Sequence, residues 1–189
     1  MSNHGAVVLA AGASRRLGRP KQLVQVDGES LLRRSLRCVL ATAPRDTVVV
    51  LGHAAQELAA HIADLPARCV LGAQWQQGMG HSLRQGVAQL APGCDGVLVV
   101  LCDQPALDEA HLQALLRAWQ ANPRQAAATG YAQTLGVPVL LPRGWLRDAA
   151  LDGDRGARDL LRARAAQVQV VENAALARDV DVPGDLADG

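Results

Sequence analysis

A single lysine, Lys21, stands among nineteen Lys and Arg residues. It follows Arg15, Arg16 and Arg19 in a loop that opens with Ala10, Ala11, Gly12, Ala13 and Ser14, residues with almost no side chain. Small residues let a ligand approach the backbone N–H groups closely, and the cations add positive charge, so the loop reads as a cradle for a polyanion. A flexible stem ending in a compact ammonium is a point-charge phosphate ligand that Arg does not replace cleanly, and Pro20 stiffens the backbone just ahead of it. The competing reading is a solvated surface cation. The second candidate is Asp103, in Cys102-Asp103-Gln104-Pro105, at the carboxyl end of the apolar run Gly96 to Leu101. Open α/β sheets bind ligands at such strand ends. A carboxylate beside a triphosphate repels it unless a cation intervenes, and Mg²⁺ held between the two resolves the conflict. Structurally, Asp103 would instead form an Asx-turn before Pro105 or cap the next helix, for which Asp108 is better placed.

Three further segments carry weaker chemistry. Gln74 to Arg84 is a polar loop entering a helix, and Gly78, Gly80 and Ser82 at its start suit a ligand; Ser82 could equally cap the helix. Trp75 and Met79 read as packing residues. In Leu151 to Arg158, Asp152 and Asp154 fit turns or caps, and Arg155 and Arg158 fit solvated cations. Near the end, alternation puts Asp179 and Asp181 on one face, and an acidic cluster so placed is ordinarily solvated.

Spacing excludes several other chemistries. Ser14 occupies the second glycine of a G-x-G-x-x-G, and no Gly-Lys-Ser/Thr follows, so neither a dinucleotide fingerprint nor a P-loop is present. Gly80-His81-Ser82-Leu83-Arg84 lacks the closing glycine of a nucleophile elbow. Cys38, Cys69, Cys94 and Cys102 have no C-x-x-C spacing, which argues against zinc and disulfides, and Cys102 reads as a small buried residue.

These residues must be positioned by an alternating α/β chain. Val7 to Leu9 predicts a buried strand, Ser30 to Leu40 a capped helix, Thr47 to Leu51 a strand, Ala54 to Ile62 a helix and Cys69 to Leu71 a short strand. That order predicts a parallel sheet with right-handed crossovers. A helix to about Leu90, the strand Gly96 to Leu101 and an amphipathic helix from Asp108 to Ala121 follow. Ala126 to Tyr131 and Val137 to Leu141 read as strands joined through Ala132 to Gly136 by a hairpin or a crossover. Val168 to Val171 closes the series, and Pro183 starts a terminal turn. At 189 residues and 49% hydrophobic content the chain fits one domain. With 2% aromatic residues and no Phe, its core must be built from Ala, Val and Leu. The net charge of +1 gives no reason to expect nucleic-acid or membrane binding. Nothing reads as a signal peptide or a bilayer-spanning run, so a cytoplasmic protein is expected.

The run Leu9-Ala10-Ala11-Gly12, with Ser14, Arg16, Gly18 and Pro20-Lys21, resembles the nucleotide-binding signature of nucleotidyltransferases that join an NTP to a phosphorylated acceptor and release pyrophosphate. Later segments narrow the resemblance to the molybdenum cofactor cytidylyltransferases, the MocA-like branch of the MobA-like NTP transferase family. It extends from residue 5 to about residue 186. It implies a three-layer Rossmann-like fold with a mostly parallel mixed sheet and a single domain, 1–189, in which 5–105 bind the NTP and 106–189 the acceptor. Leu9, Ala10, Ala11, Gly12, Ser14, Arg15, Lys21, Gly78 and Ser82 would bind nucleotide, with Lys21, Arg16 and Asp103 catalytic. Cys102-Asp103-Gln104-Pro105 resembles the family's metal motif, which Asp181, just before Val182-Pro183, would complete for Mg²⁺. Gly136, Pro138, Gly156 and Arg158 would meet the acceptor. Relatives usually carry a polar residue within Gly-x-Pro, where this chain has Val137.

The implied substrates are CTP and molybdopterin, or its molybdenum form, with a xanthine dehydrogenase-type molybdoenzyme as the eventual recipient. Ala11 stands where guanylyl-transferring relatives carry Gly, and its methyl narrows the space beside the base in favour of a pyrimidine. An acceptor phosphate is already ionised near neutral pH and needs no general base. Two rivals stand beside this reading: a nucleotidyltransferase for sugar phosphates or isoprenoid-alcohol phosphates, and a non-catalytic molybdopterin carrier. A carrier has no use for a triphosphate and metal site.

Overall fold

A computed structural model describes residues 3–14, 17–148, 151 and 156–180. The order is β1 (His4–Ala10), β2 (Gln25–Val26), β3 (Glu29–Ser30), α1 (Leu31–Leu40), β4 (Thr47–Leu51), α2 (Ala55–His61), β5 (Arg68–Leu71), α3 (Met79–Gln89), β6 (Gly96–Leu101), α4 (Glu109–Ala121), β7 (Ala126–Tyr131), β8 (Thr134–Pro142), α5 (Arg143–Asp148), α6 (Ala157–Ala163) and β9 (Val168–Glu172). Seven strands form one sheet in the order β5-β4-β1-β6-β8-β7-β9. All neighbours run parallel except β8, which is antiparallel to both β6 and β7. This is the mostly parallel mixed sheet expected of the chain.

The period-2 alternation of a strand sends successive side chains to opposite faces. In β1, Ala6, Val8 and Ala10 join Leu32, Leu36, Leu58, Leu112 and Trp119 beneath α1, α2 and α4. Val7 and Leu9 join Leu83, Val87, Trp145, Leu146 and Leu161 beneath α3, α5 and α6. Two helical layers therefore sandwich the sheet, and the strands are apolar on both faces because both are covered. Ala, Val and Leu dominate the core as composition demanded, with Trp119 and Trp145 filling the two sides. A third, small cluster of Leu17, Val24, Leu31 and Val180 packs the segment after β1 against residue 180.

Local signals explain most boundaries. Ser30 caps α1 by accepting from the Arg33 N–H, and Asp108 caps α4 by accepting from His111 N–H. The segment Ala132 to Gly136 resolves as a hairpin rather than a crossover, and a tighter one than expected. Ala132 and Gln133 alone make the turn, both at positive φ (47° and 59°), and β8 starts at Thr134. Glycine-free turns of this hand are rare enough that the sequence pointed to a longer loop. Two elements were not anticipated: the β2–β3 ribbon around Asp27-Gly28, and α5 directly after Pro142. Among the described residues no helix is long and apolar enough to cross a membrane. Pro183 lies outside the described residues.

Candidate active site

Strands β1 and β6 lie side by side and parallel, with Leu9 opposite Leu101, so the loops that follow them leave the same edge of the sheet together. Between them opens a cleft of about 240 Å³ lined by Leu9, Ala11, Gly12, Lys21, Trp75, Gly78, Met79, Ser82, Leu101 and Asp103. At its floor the two strongest candidates meet: the Lys21 ammonium donates to Asp103 Oδ2 in an ion pair with 18% and 12% of each side chain exposed. Of the alternatives for Asp103, the helix cap is ruled out, since Asp108 supplies it.

The loop after β1 is held from beneath by side chains. Ser14, at φ 50°, accepts from the Lys21 N–H through Oγ at 3.0 Å, and its carbonyl accepts from Leu17 and Gly18. Ser14 therefore fixes the point from which the Lys21 side chain departs. Gln22, 1% exposed, donates through Nε2 to the carbonyls of Ala10 (2.9 Å) and Gly12 (3.1 Å). Those bonds tie both carbonyls to the buried Gln22 side chain. The side chain of Ala10 itself is in the core, so this residue reaches the cleft only through its backbone. A Cβ on Gly12 would meet nothing within 4 Å, so the space in front of this cleft residue is open and its backbone is accessible.

The end of β6 is held in the same manner. Gln104 donates through Nε2 to the carbonyls of Val137 (3.1 Å) and Leu176 (2.8 Å), and the Val180 N–H donates to the Asp103 carbonyl at 2.8 Å. These bonds bring the β8 strand and the segment before Asp181 to the strand end that carries Asp103. Cys102 is buried, its thiol pushed up to about 12 by desolvation, so it is inert at neutral pH. Asp103 Oδ1 is buried without a hydrogen-bond partner among the described residues. An orphaned carboxylate oxygen beside a cleft suits a hard divalent cation, so Asp103 fits the Mg²⁺ implied by the sequence. No group of three His, Cys, Asp or Glu that could hold a metal occurs among the described residues.

The third wall is the loop between β5 and α3. Trp75 is half-buried and seats on Gly52, where a Cβ would come within 2.5 Å of its ring and 2.6 Å of the Ala11 carbonyl. The ring of His53 lies 6.2 Å from it, tilted by 58°. Trp75 and Met79 thus line the cleft, where sequence reasoning had assigned them to packing. Ser82 lies one turn inside α3 and is buried; Gly78 occupies the cap position with no side-chain cap, so Ser82 is not the cap.

The acceptor candidates divide. Gly156 is buried beside Met79, whose sulfur would be 3.6 Å from a Cβ there, which puts it at the rim of the cleft; Arg158 is exposed on α6. Gly136 packs under Tyr131, whose hydroxyl donates to the Val137 carbonyl. The Pro138 carbonyl accepts from Thr129, which is also paired with His111. Arg15, Arg16 and Asp181, with Asp152, Asp154 and Arg155, lie outside the described residues. Sequence reasoning missed Gln22 and Gln104 as supports, although each directly follows a candidate it serves.

Residues 6–170 match the family described as the MobA-like NTP transferase domain. Nicotine blue oxidoreductase of Paenarthrobacter nicotinovorans is 34% identical over 177 residues, 88% of this chain and 85% of that protein. Purine catabolism protein PucB of Bacillus subtilis strain 168 is 30% identical over 189 residues, 94% and 91% of the two chains. Among solved structures, Rv0371c of Mycobacterium tuberculosis H37Rv has a TM-score of 0.83 at 29% identity, covering 98% of this chain and 96% of its own. A second Rv0371c structure, a complex with manganese, has a TM-score of 0.80 at 26% identity and covers 99% and 100%.

Proposed function

Because this chain belongs to the MobA-like NTP transferase family, and is therefore a nucleotidyltransferase, we propose that it transfers CMP from CTP to the terminal phosphate of molybdopterin. One observation carries the reading: Lys21 and Asp103 converge on a cleft whose other walls are the small-residue loop and the Trp75–Ser82 segment. That is a site for a triphosphate, a divalent cation and a base.

An oxygen of the acceptor phosphate forms a bond to the α-phosphorus of CTP while the bond from that phosphorus to the α,β-bridging oxygen breaks. The bridging oxygen keeps the electron pair and leaves with pyrophosphate. No proton has to be removed from an ionised phosphate, so the chain needs to position charges rather than supply a base. Gly12 admits the phosphates to the backbone, and Lys21, with Arg16, neutralises the charge that builds on the leaving group. Asp103, with Asp181, would hold Mg²⁺, which supplies Lewis-acid polarisation of the phosphates when bound; manganese in Rv0371c supports a divalent requirement. Leu9, Ala11, Gly78 and Ser82 would receive the nucleotide, and the Ala11 methyl would favour the smaller pyrimidine. Gly136, Pro138, Gly156 and Arg158 would face molybdopterin, so that 5–105 serve the NTP and 106–189 the acceptor. A cytoplasmic location and a xanthine dehydrogenase-type recipient complete the proposal.

The test supplies Mg²⁺, molybdenum-loaded molybdopterin and each of CTP, GTP, ATP and UTP separately, and follows pyrophosphate together with the nucleotide joined to the cofactor. Release with CTP that depends on the acceptor is expected. Release only with a sugar phosphate would reassign the acceptor, and tight molybdopterin binding without turnover would make the protein a carrier. A further arm follows NAD(P)H oxidation with a reducible dye, because one relative is named as an oxidoreductase. Turnover there in place of pyrophosphate release would overturn the proposal.

A further inference from the structure

We propose that the Lys21 ammonium takes the place of the divalent cation at Asp103 while the cleft is free of nucleotide, so that the triphosphate must bind before the metal can be held. The inference rests on reading the cleft as a triphosphate and metal site. Asp103 has two carboxylate oxygens; one accepts from Lys21 Nζ and the other is buried and has no hydrogen-bond partner among the described residues. A divalent cation arriving alone would have to share that small, mostly buried carboxylate with an ammonium, and like charges in a low-dielectric pocket repel.

The loop is built so that the side chain can move while its root cannot. Ser14 Oγ holds the Lys21 N–H, and the neighbouring Gln22 is fixed by two bonds to the loop's own carbonyls. Four methylenes then let the ammonium move from Asp103 toward the phosphates of a nucleotide in the cleft. Binding the triphosphate offers the Lys21 ammonium a new anionic partner and releases Asp103 Oδ2, so both carboxylate oxygens face the cation at once. Linkage makes the effect reciprocal: the factor by which nucleotide improves metal binding equals the factor by which metal improves nucleotide binding, about 5- to 150-fold for couplings of this kind.

Two measurements test this. The first counts Mn²⁺ bound to nucleotide-free protein by electron paramagnetic resonance, in the wild type and in Lys21→Gln, Lys21→Met, Arg19→Gln and the Lys21→Gln/Asp103→Asn double variant. Removing the ammonium should tighten Mn²⁺ roughly tenfold. Arg19→Gln, which removes an equal charge from the exposed part of the same loop, should change it far less, and the double variant should lose the gain. The second uses the wild type alone: since the chain has one lysine, labelling lysine with ¹⁵N at Nζ gives a single side-chain signal. A non-hydrolysable CTP analogue in EDTA should shift that signal, and millimolar Mg²⁺ without nucleotide should not. Equal Mn²⁺ affinity in the wild type and both Lys21 variants, or an equal gain in Arg19→Gln, overturns the inference. So does a shift produced by Mg²⁺ alone. If no nucleotide analogue moves the signal or binds at all, the reading of the cleft as a nucleotide site falls with it.

Discussion

Gln22 is the residue whose replacement most cleanly separates positioning from stability. In Gln22→Leu two hydrogen bonds to the Ala10 and Gly12 carbonyls disappear, a loss of about 1 kcal/mol each. The same change removes Gln22 Oε1, a buried acceptor without a partner among the described residues, whose desolvation costs about 1–3 kcal/mol. The Ala10 carbonyl, on a buried residue, also loses this donor at a cost of about 1–3 kcal/mol, so the unfolding free energy should fall by about 1–3 kcal/mol net, and the melting temperature by about 2–4 °C per kcal/mol for a chain of this size. The Gly12 carbonyl, however, is released beside the cleft, and kcat/KM for the nucleotide should fall at least tenfold, about 1.4 kcal/mol of lost transition-state stabilisation. Gln22→Glu should behave differently: an isosteric carboxylate aimed at two carbonyl oxygens is a buried, repelled anion, and the fold should lose several kcal/mol. Thermal melts and steady-state pyrophosphate release on the same preparations decide the matter. Full activity in a stable Gln22→Leu protein, or loss of activity only in proportion to loss of fold, would refute the positioning role.

Other consequences are as direct. Lys21→Ala should lower kcat by about 10²–10³, as loss of a preorganised charge donor does, and near-normal turnover would remove Lys21 from the mechanism. Gly52→Ala places a methyl against Trp75 and the immovable Ala11 carbonyl; denaturant unfolding should show about 1–3 kcal/mol of lost stability, with a raised KM for nucleotide, and a neutral variant would mean that Trp75 is not seated there. Ala11→Gly should relax the preference for CTP over GTP, measured as a ratio of kcat/KM values, and an unchanged ratio would dismiss the steric account of base choice. Acid should destabilise the fold through His4 and His111, both buried and both held below 6.5 by desolvation. Each is bonded through Nε2 to a threonine hydroxyl that in turn donates to a carbonyl. The unfolded chain takes up these protons near pH 6.5 and the native chain does not. Their stabilisation is therefore complete above that pH and declines as pH falls toward the depressed native values, by at most about 1.4 kcal/mol per unit for each histidine. Melting temperatures from pH 7.5 to 5.5 should fall in the wild type and flatten in His4→Gln/His111→Gln; equal slopes would deny the histidines this part.

Much of the frame was legible because its signals are local. Ser30 and Asp108 announced their helices, and Thr47 to Leu51 and Gly96 to Leu101 stood out as apolar strands that match the structure residue for residue. The β2–β3 ribbon carried a readable Asp-Gly turn that the pattern reading passed over, since two-residue strands have no period to detect. The Ala132–Gln133 turn had no such mark: its left-handed pair is imposed by the pairing of β7 with β8. For the site, residue types around Gly12, Lys21 and Asp103 pointed to phosphate and metal chemistry, but that Lys21 rests on Asp103 is a meeting across 82 positions that no local signal records. The same holds for Trp75, which reads as a packing residue in the sequence and in the structure is seated on Gly52 beside the cleft.

The distance along the chain between the two halves of the cleft has a consequence for how the protein comes into being. His4 pairs with Gly96, Lys21 with Asp103, and the Asp103 carbonyl waits for Val180. During synthesis the lysine-bearing loop leaves the ribosome long before the strand that carries its carboxylate, and the residue that ties down that strand's end follows later still. Helices such as α1 and α4 close over few residues and form early; contacts of large sequence separation close slowly. Catalytic competence is thus the last property the chain acquires, and in refolding it should return after the helical signal has already recovered.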